Sequence, residues 1–189
     1  EFQLNEEQQH LRKSVRELAE REILPHVMEW DEASHFPLET VKELGRLGLL
    51  GAIFPTDYGG AGLGYVEYAT AIEELARVDG SVALILAAHV SLGTNHIFVA
   101  GNEQQKRKYV PKLASGEFIG AWGLTEPGSG SDAGSARMSA VRKKDCWVLN
   151  GTKAWITNGG IANVHVVVAA VDPALKGRGQ ASFVVPPGT

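Results

Sequence analysis

Two short stretches hold the side chains and turns best suited to chemistry: Gly123-Leu-Thr-Glu-Pro-Gly-Ser-Gly-Ser131-Asp132 and Lys153-Ala-Trp155-Ile-Thr157-Asn-Gly-Gly160. In the first, Pro127, Gly128 and Gly130 stand among hydroxyls, a composition that lets a backbone turn sharply and aim several N–H groups at one point. Such a nest suits a phosphate or the polar edge of a ring. The second follows Asn150-Gly151, read as a hairpin signal, and its alternating character predicts a strand over residues 153–157 with Trp155 and Thr157 on one face. A flat aromatic beside a hydroxyl suits a planar cofactor. The structural alternative is that Gly, Ser, Pro and Asn are ordinary turn residues and a strand Trp is core. On residue types alone both readings stand open.

The chain offers these stretches a scaffold of two textures. Asn5 with Gln8 three residues on predicts a capping box, and Leu11, Val15, Leu18 and Ile23 follow near the helical period up to Pro25. Pro37, then Val41, Leu44 and Leu47, predict a short second helix that stops near Gly48. The glycine-dense residues 55–64 form a loop. They lack the strand-then-helix setting of a dinucleotide fingerprint, so a Rossmann reading is rejected. Ala69, Ile72, Leu75 and Ala76 predict a third apolar stripe. Asp79 or Ser81 then caps a fourth helix, residues 81–100, that is apolar on nearly every side and belongs at the centre of a bundle. His89 and His96 share one face of it, but without a third donor they read as satisfied core or interface histidines rather than metal ligands. Asn102 with Gln105 opens a fifth capped helix ending near Gly116.

Beyond Gly116, short runs with turn signals predict strands at residues 118–124, 136–142, 146–149, 153–157, 164–171 and 181–185, with a polar loop at 173–180. Residues 164–171 are apolar on both faces apart from His165, which predicts an interior strand. The fold class is therefore α+β and multi-domain, helices first and sheet second.

Composition bounds what such a scaffold can serve. With 189 residues, 44% of them hydrophobic, the chain can bury one sizeable core or two small ones. A formal net charge of -4 gives no basic surplus for nucleic acid or an anionic membrane, and Lys106-Arg107-Lys108 reads as a solvated helix face. The lone Cys146 excludes an internal disulfide and fits a reducing intracellular compartment, where the formal sequon Asn150-Gly151-Thr152 is only a turn. No metal-ligand cluster is evident. The start at Glu1-Phe2 shows no charged-then-apolar leader, so neither a secretory signal nor a transit peptide is expected. The longest apolar run, residues 82–88, is broken by His89, Ser91, Asn95 and His96. That is short of the roughly 20 residues a membrane span needs, and no stable membrane insertion is expected.

The two motifs, in this order and at this separation, resemble those of the acyl-CoA dehydrogenases, flavoenzymes of fatty-acid and branched-chain oxidation. Tyr58-Gly-Gly-Ala-Gly-Leu-Gly64 and residues 101–117 are similar to the family as well, so the resemblance covers essentially the whole chain. It implies the first two of three domains: an N-terminal all-α helical bundle, residues 1–116, then an incomplete β-barrel-like middle domain, residues 117–189, with an open sheet edge. It implies FAD as cofactor and oxidation of an acyl-CoA to its trans-2-enoyl thioester, hydride passing to flavin N5. An electron-transfer flavoprotein would be the acceptor, and the setting a soluble homo-oligomer, dimer or tetramer, in bacterial cytoplasm or mitochondrial matrix.

By position, Trp122, Gly123, Leu124 and Thr125 match the segment at the flavin ring edge, with Thr125 bonding the pyrimidine side. Trp122 departs from the family's smaller or phenolic choices. Gly130 lets the backbone come close, and Ser131 matches a position shared between FAD and the pantetheine arm of the substrate. Trp155, Ile156 and Thr157 match the segment packed on the isoalloxazine, the Thr157 hydroxyl approaching N5. The family's glutamate base lies beyond Thr189, so no catalytic residue is expected here and this stretch alone is expected to be inactive. Glu126, in a tight Thr-Glu-Pro turn, reads as a structural acid. Two alternatives remain: an acyl-CoA oxidase-type relative, and a flavin-free interaction or scaffold module.

Overall fold

The computed structural model describes residues 3–189; Glu1-Phe2, on which the reading of the chain start rests, lie outside the described residues. The chain divides after Phe118 into two compact units.

In the first unit, helix α1 (Glu6–Leu18) opens with the expected capping box, Gln8 N donating to Asn5 Oδ1 at 2.8 Å and Asn5 N to Gln8 Oε1 at 3.0 Å. It runs on through a π turn (Ala19–Ile23) and a 3-10 turn (Leu24–His26) into a further helix α2 (Val27–Glu32), which the pattern does not predict. Pro25 sits in the first turn of the 3-10 segment, where its missing N–H is tolerated, so the chain bends and resumes instead of stopping. Helix α3 (Leu38–Arg46) buries Val41 and Leu44, while Leu47 beyond it is exposed.

Helix α4 (Tyr65–Ala76) turns inward a different stripe from the one expected. Thr70, Ala71, Glu74 and Leu75 are buried, and Ala69 and Ala76 face water. The reason is an ion pair. Arg16 Nε and Nη2 each donate to a Glu74 carboxylate oxygen at 2.8 Å, which ties α1 to α4 and lets a glutamate occupy a core position.

The apolar fourth helix is continuous from Gly80 to Ala100: α5 (Gly80–Ala87), a π turn (Ala88–Thr94) and α6 (Asn95–Ala100). Asp79 caps it through Ser81 N at 2.7 Å. His89, Ser91, Asn95 and His96 do not interrupt it, so by length and composition alone it could cross a membrane, contrary to the expectation from the broken run. Val82, Leu86, Val90 and Ile97 are nevertheless packed out of contact with solvent within the helical unit, as the core of a bundle requires. His89 is fully buried beside helix α7 (Glu103–Ala114), its Nε2 3.0 Å from the Leu113 carbonyl, and His96 is half-buried. Among the described residues no group of three or more side chains could hold a metal ion. Asn102 and Gln105 form the second capping box, and the chain leaves α7 through Gly116 at φ +79°.

The second unit is one five-stranded mixed sheet: β1 (Gly120–Gly123), β2 (Ser139–Lys143), β3 (Cys146–Asn150), β4 (Val164–Ala170) and β5 (Gln180–Val185). Strand β4 is interior, as its apolar faces predict. β1 lies parallel along one edge, Gly120 opposite Val164 through Gly123 opposite Val167, and β5 lies antiparallel along the other. β2 meets the end of β4 at Ser139 opposite Ala170 and carries β3 antiparallel. The sheet is open among the described residues, as expected of an incomplete barrel-like domain.

Two local expectations fail. The β2–β3 turn falls at Lys144-Asp145, with Lys144 at φ +51°, and not at Asn150-Gly151. Asn150 is the last residue of β3. Gly151 is needed because at φ +150° a Cβ would stand 2.8–2.9 Å from Met138. Nor are residues 153–157 a strand. Trp155 (φ +60°) and Asn158 (φ +64°) adopt left-handed conformations, which a strand cannot contain, and both edges of β4 are already taken. The polar loop after β4 contains the 3-10 segment Pro173–Gly179.

Candidate functional site

At the end of β1 the chain enters the first motif. Glu126 N donates to Ser129 O at 2.9 Å and Ser129 N to Glu126 O at 3.1 Å, closing a turn around Pro127-Gly128. Proline and glycine at its two central positions make that reversal inexpensive. The buried Ser129 hydroxyl donates to Asp132 O at 2.6 Å and fixes the exit.

The second motif is bound to the first at three points. Ala154 N donates to Thr125 O at 2.9 Å. Lys153 Nζ donates to Leu124 O and to Glu126 Oε1, both at 2.8 Å, with the two side chains 9% and 8% exposed. Gly123 makes room for the lysine stem, since a Cβ there would lie 3.3 Å from Lys153 Cγ. The Glu126 carboxylate also accepts from Arg137 N at 2.6 Å and Met138 N at 2.9 Å. Burial pushes this carboxyl up, but Lys153 and the two backbone donors outweigh burial and hold it below the ordinary carboxylate range. Glu126 is thus an ionised structural acid with its oxygens engaged, and not a proton acceptor in waiting.

Around this knot stand the residues singled out from the sequence. Trp122 is half-buried in β1, Gly123 is buried, and Leu124 and Thr125 are half-buried where the strand ends. Gly130 and Ser131 are exposed on the turn. Ile156 and Thr157 are half-buried in the second loop, and Trp155 is 92% exposed. The contact between Thr125 and Ala154 brings both motifs to one place by loop packing, where the sequence pattern foresaw a strand. Lys153, Arg137 and Met138 were missed. The signal for Lys153 was available: an isolated cation in one uncharged loop and an isolated glutamate in the other.

These residues fit a flavin. The bare indole of Trp155 presents a flat apolar face of the kind a planar ring could rest on. The Thr125 and Thr157 hydroxyls hydrogen-bond to no protein group among the described residues, although each is half-buried. A Cβ at Gly128, Gly130 or Gly160 would meet no atom within 4 Å, so the backbone of both loops is open to close approach. Hydroxyls, an aromatic face and accessible backbone amides match a heteroaromatic ring with a polar edge and an anionic tail.

Comparison with known proteins agrees across both units. The model for the acyl-CoA dehydrogenase N-terminal domain matches residues 5–117, and that for the acyl-CoA dehydrogenase middle domain matches residues 121–189. An acyl-CoA dehydrogenase of Bacillus subtilis is 44% identical over 186 residues, 98% of this chain and 49% of that protein. Butyryl-CoA dehydrogenase from Megasphaera elsdenii superposes with a TM-score of 0.96 at 38% identity, over 100% of this chain and 50% of that one. A glutaryl-CoA dehydrogenase from Mycobacterium smegmatis, solved in complex with FADH2, gives a TM-score of 0.92 at 38% identity over 98% and 47%. The chain spans about half the length of the curated relatives it matches. With both domain models matched and the two motif loops packed together, the chain belongs to the acyl-CoA dehydrogenase family.

Proposed function

We propose that this chain supplies the N-terminal helical domain, residues 1–116, and the middle β domain, residues 117–189, of an FAD-dependent acyl-CoA dehydrogenase. The observation that carries the reading is Trp155, a large aromatic held 92% exposed at φ +60° beside the uncommitted Thr157 hydroxyl. An exposed indole in a left-handed backbone is costly for a stand-alone fold and makes sense as a platform for a ring.

When bound, FAD would supply the two-electron acceptor for dehydrogenation of an acyl-CoA to its trans-2-enoyl thioester. The chain's own part is binding and orientation. Trp155 and Ile156 would back the ring, and the Thr157 hydroxyl would donate at its N5 edge. Thr125, with Trp122, Gly123 and Leu124, would line the pyrimidine edge. Gly130 and Ser131 would meet the phosphate side, Ser131 also reaching the pantetheine arm of the substrate. With Glu126 ionised and fully bonded, and Glu74 paired to Arg16, we assign the α-proton base to the whole protein outside these residues. The acceptor would be an electron-transfer flavoprotein, and the setting a soluble homo-oligomer, dimer or tetramer, of bacterial cytoplasm or mitochondrial matrix.

The test is the protein expressed from its complete gene. It should purify yellow, and anaerobic addition of short, branched or long acyl-CoA should bleach the flavin with stoichiometric enoyl-CoA. A colourless protein that leaves added FAD fluorescence unquenched would overturn the reading in favour of a flavin-free scaffold. Fast reaction of the reduced flavin with oxygen would favour an oxidase-type relative.

A further inference from the structure

Between the two motifs the chain makes an excursion, the β2–β3 hairpin, and both feet of that hairpin meet at one carboxylate. The incoming foot donates Arg137 N and Met138 N to Glu126 at 2.6 and 2.9 Å, and the outgoing foot brings Lys153 Nζ to the same carboxylate at 2.8 Å. The second Lys153 hydrogen bond, to Leu124 O at 2.8 Å, reaches back to the loop that precedes the excursion. Both charged groups are nearly inaccessible to solvent. A desolvated ion pair with several satisfied hydrogen bonds adds little net stability over an apolar pair, yet it is severely penalised when one partner is removed. Its best use is therefore to permit one arrangement and forbid the others.

We propose that Lys153 and Glu126 are positioning residues that lock the two motif loops into a single cooperative unit, so that Thr125 and Thr157 are presented together or not at all. The placement of a flavin against that unit rests on the functional reading above; the locking does not. Three observations support it. Neither residue faces open space where a ligand would stand, so their burial is not explained by direct binding. The segment they anchor includes two non-glycine residues in left-handed conformations, Trp155 and Asn158, which need surroundings that over-determine them. Apart from the lock, a backbone hydrogen bond from Ala154 N to Thr125 O ties the loops together.

Hydrogen exchange on the flavin-free protein from the complete gene, read by mass spectrometry, tests the locking. Lys153→Met should raise exchange in residues 124–131 and 153–162 together, by about 100-fold, as expected for breaking one side of a buried pair. Strands β4 and β5 and the helical unit should keep their protection. Glu126→Gln, which retains shape and one acceptor, should raise both loops less and in the same proportion. Lys153→Arg should restore most of the protection. Folding of each variant is checked by the unchanged exchange of β4. Opening of only one loop, or unchanged protection in both, would overturn the inference, as would loss of protection across the whole sheet, which would mark the pair as merely structural. FAD titration of the same proteins separates the two levels. Weaker FAD binding in proportion to loop opening supports both, and unchanged affinity in an opened variant overturns the positioning role. Coupled opening in a protein that never binds FAD supports the lock while removing the flavin reading.

Discussion

His89 makes the stability of the helical unit sensitive to mild acid. The imidazole is fully buried in the π turn between α5 and α6, with Nε2 3.0 Å from Leu113 O and 3.4 Å from Thr94 Oγ1. Nε2 must carry the proton to donate to the carbonyl, and burial keeps the other nitrogen unprotonated at neutral pH. Burial lowers its pKa from 6.5 to about 4, only partly opposed by the carbonyl. Because the folded pKa is depressed, the unfolded chain binds a proton first as pH falls. Stability from this group is thus complete above the unfolded value and is lost as pH drops from about 6.5 towards about 4. At 1.36 kcal/mol per pH unit the loss is about 2 kcal/mol at pH 5. His89→Gln keeps a donor for Leu113 and removes the titration. It should cost about 1–3 kcal/mol at neutral pH, because its amide oxygen is left buried. Urea unfolding followed by circular dichroism at 222 nm, at pH 7.5 and 5, reads the helical unit. The wild type should lose about 2 kcal/mol more than His89→Gln over that interval. Equal losses would refute the argument and mean that the ring is hydrated or relocates on protonation.

Three further outcomes follow from the same geometry. Thr157→Val removes a hydroxyl that holds no protein partner among the described residues, so the melting temperature should stay put while FAD affinity falls by about 2- to 10-fold, the worth of one neutral hydrogen bond; an unchanged flavin spectrum and affinity would remove Thr157 from the site. Trp155→Gly relieves a left-handed tryptophan, so the flavin-free protein should gain about 0.5–1 kcal/mol in denaturant titrations while FAD binding weakens. Glu74→Gln breaks the bidentate pair with Arg16, and since Arg16 is partly exposed the cost should be about 1–3 kcal/mol. The hydrogen bond from Arg16 holds Glu74 below the ordinary carboxylate range, so this contribution exists at neutral pH and disappears as pH falls through the lowered value. Acid titration of the variant should therefore be flatter at its low-pH end.

The helical half of the chain was legible because its signals are local. Capping boxes at Asn5 and Asn102 and the cap at Asp79 declare themselves within four residues, and the structure has each of them. What failed there depended on distant partners: Glu74 reads as surface until Arg16, in another helix, is beside it. In the sheet, the apolar run of β4 announced an interior strand, while the neighbouring Lys153–Thr157 segment has the composition of a strand and no edge left to join. Periodicity cannot report that an edge is occupied. The motifs themselves were found from residue types, but the glutamate–lysine knot that joins them spans 27 positions and has no local pattern.

The meeting of both hairpin feet at Glu126 has a consequence for how the molecule tolerates change. Everything between Met138 and Lys153 is closed off at its base, so length added at the exposed Lys144-Asp145 tip is invisible to the loops on the other side of the carboxylate. Extending such a tip costs only about 0.6 kcal/mol for each doubling of loop length. A peptide tag or a fluorescent reporter spliced into that tip would ride on the protein without disturbing either motif, whereas a single residue inserted between Gly151 and Lys153 would pull the ammonium out of its socket.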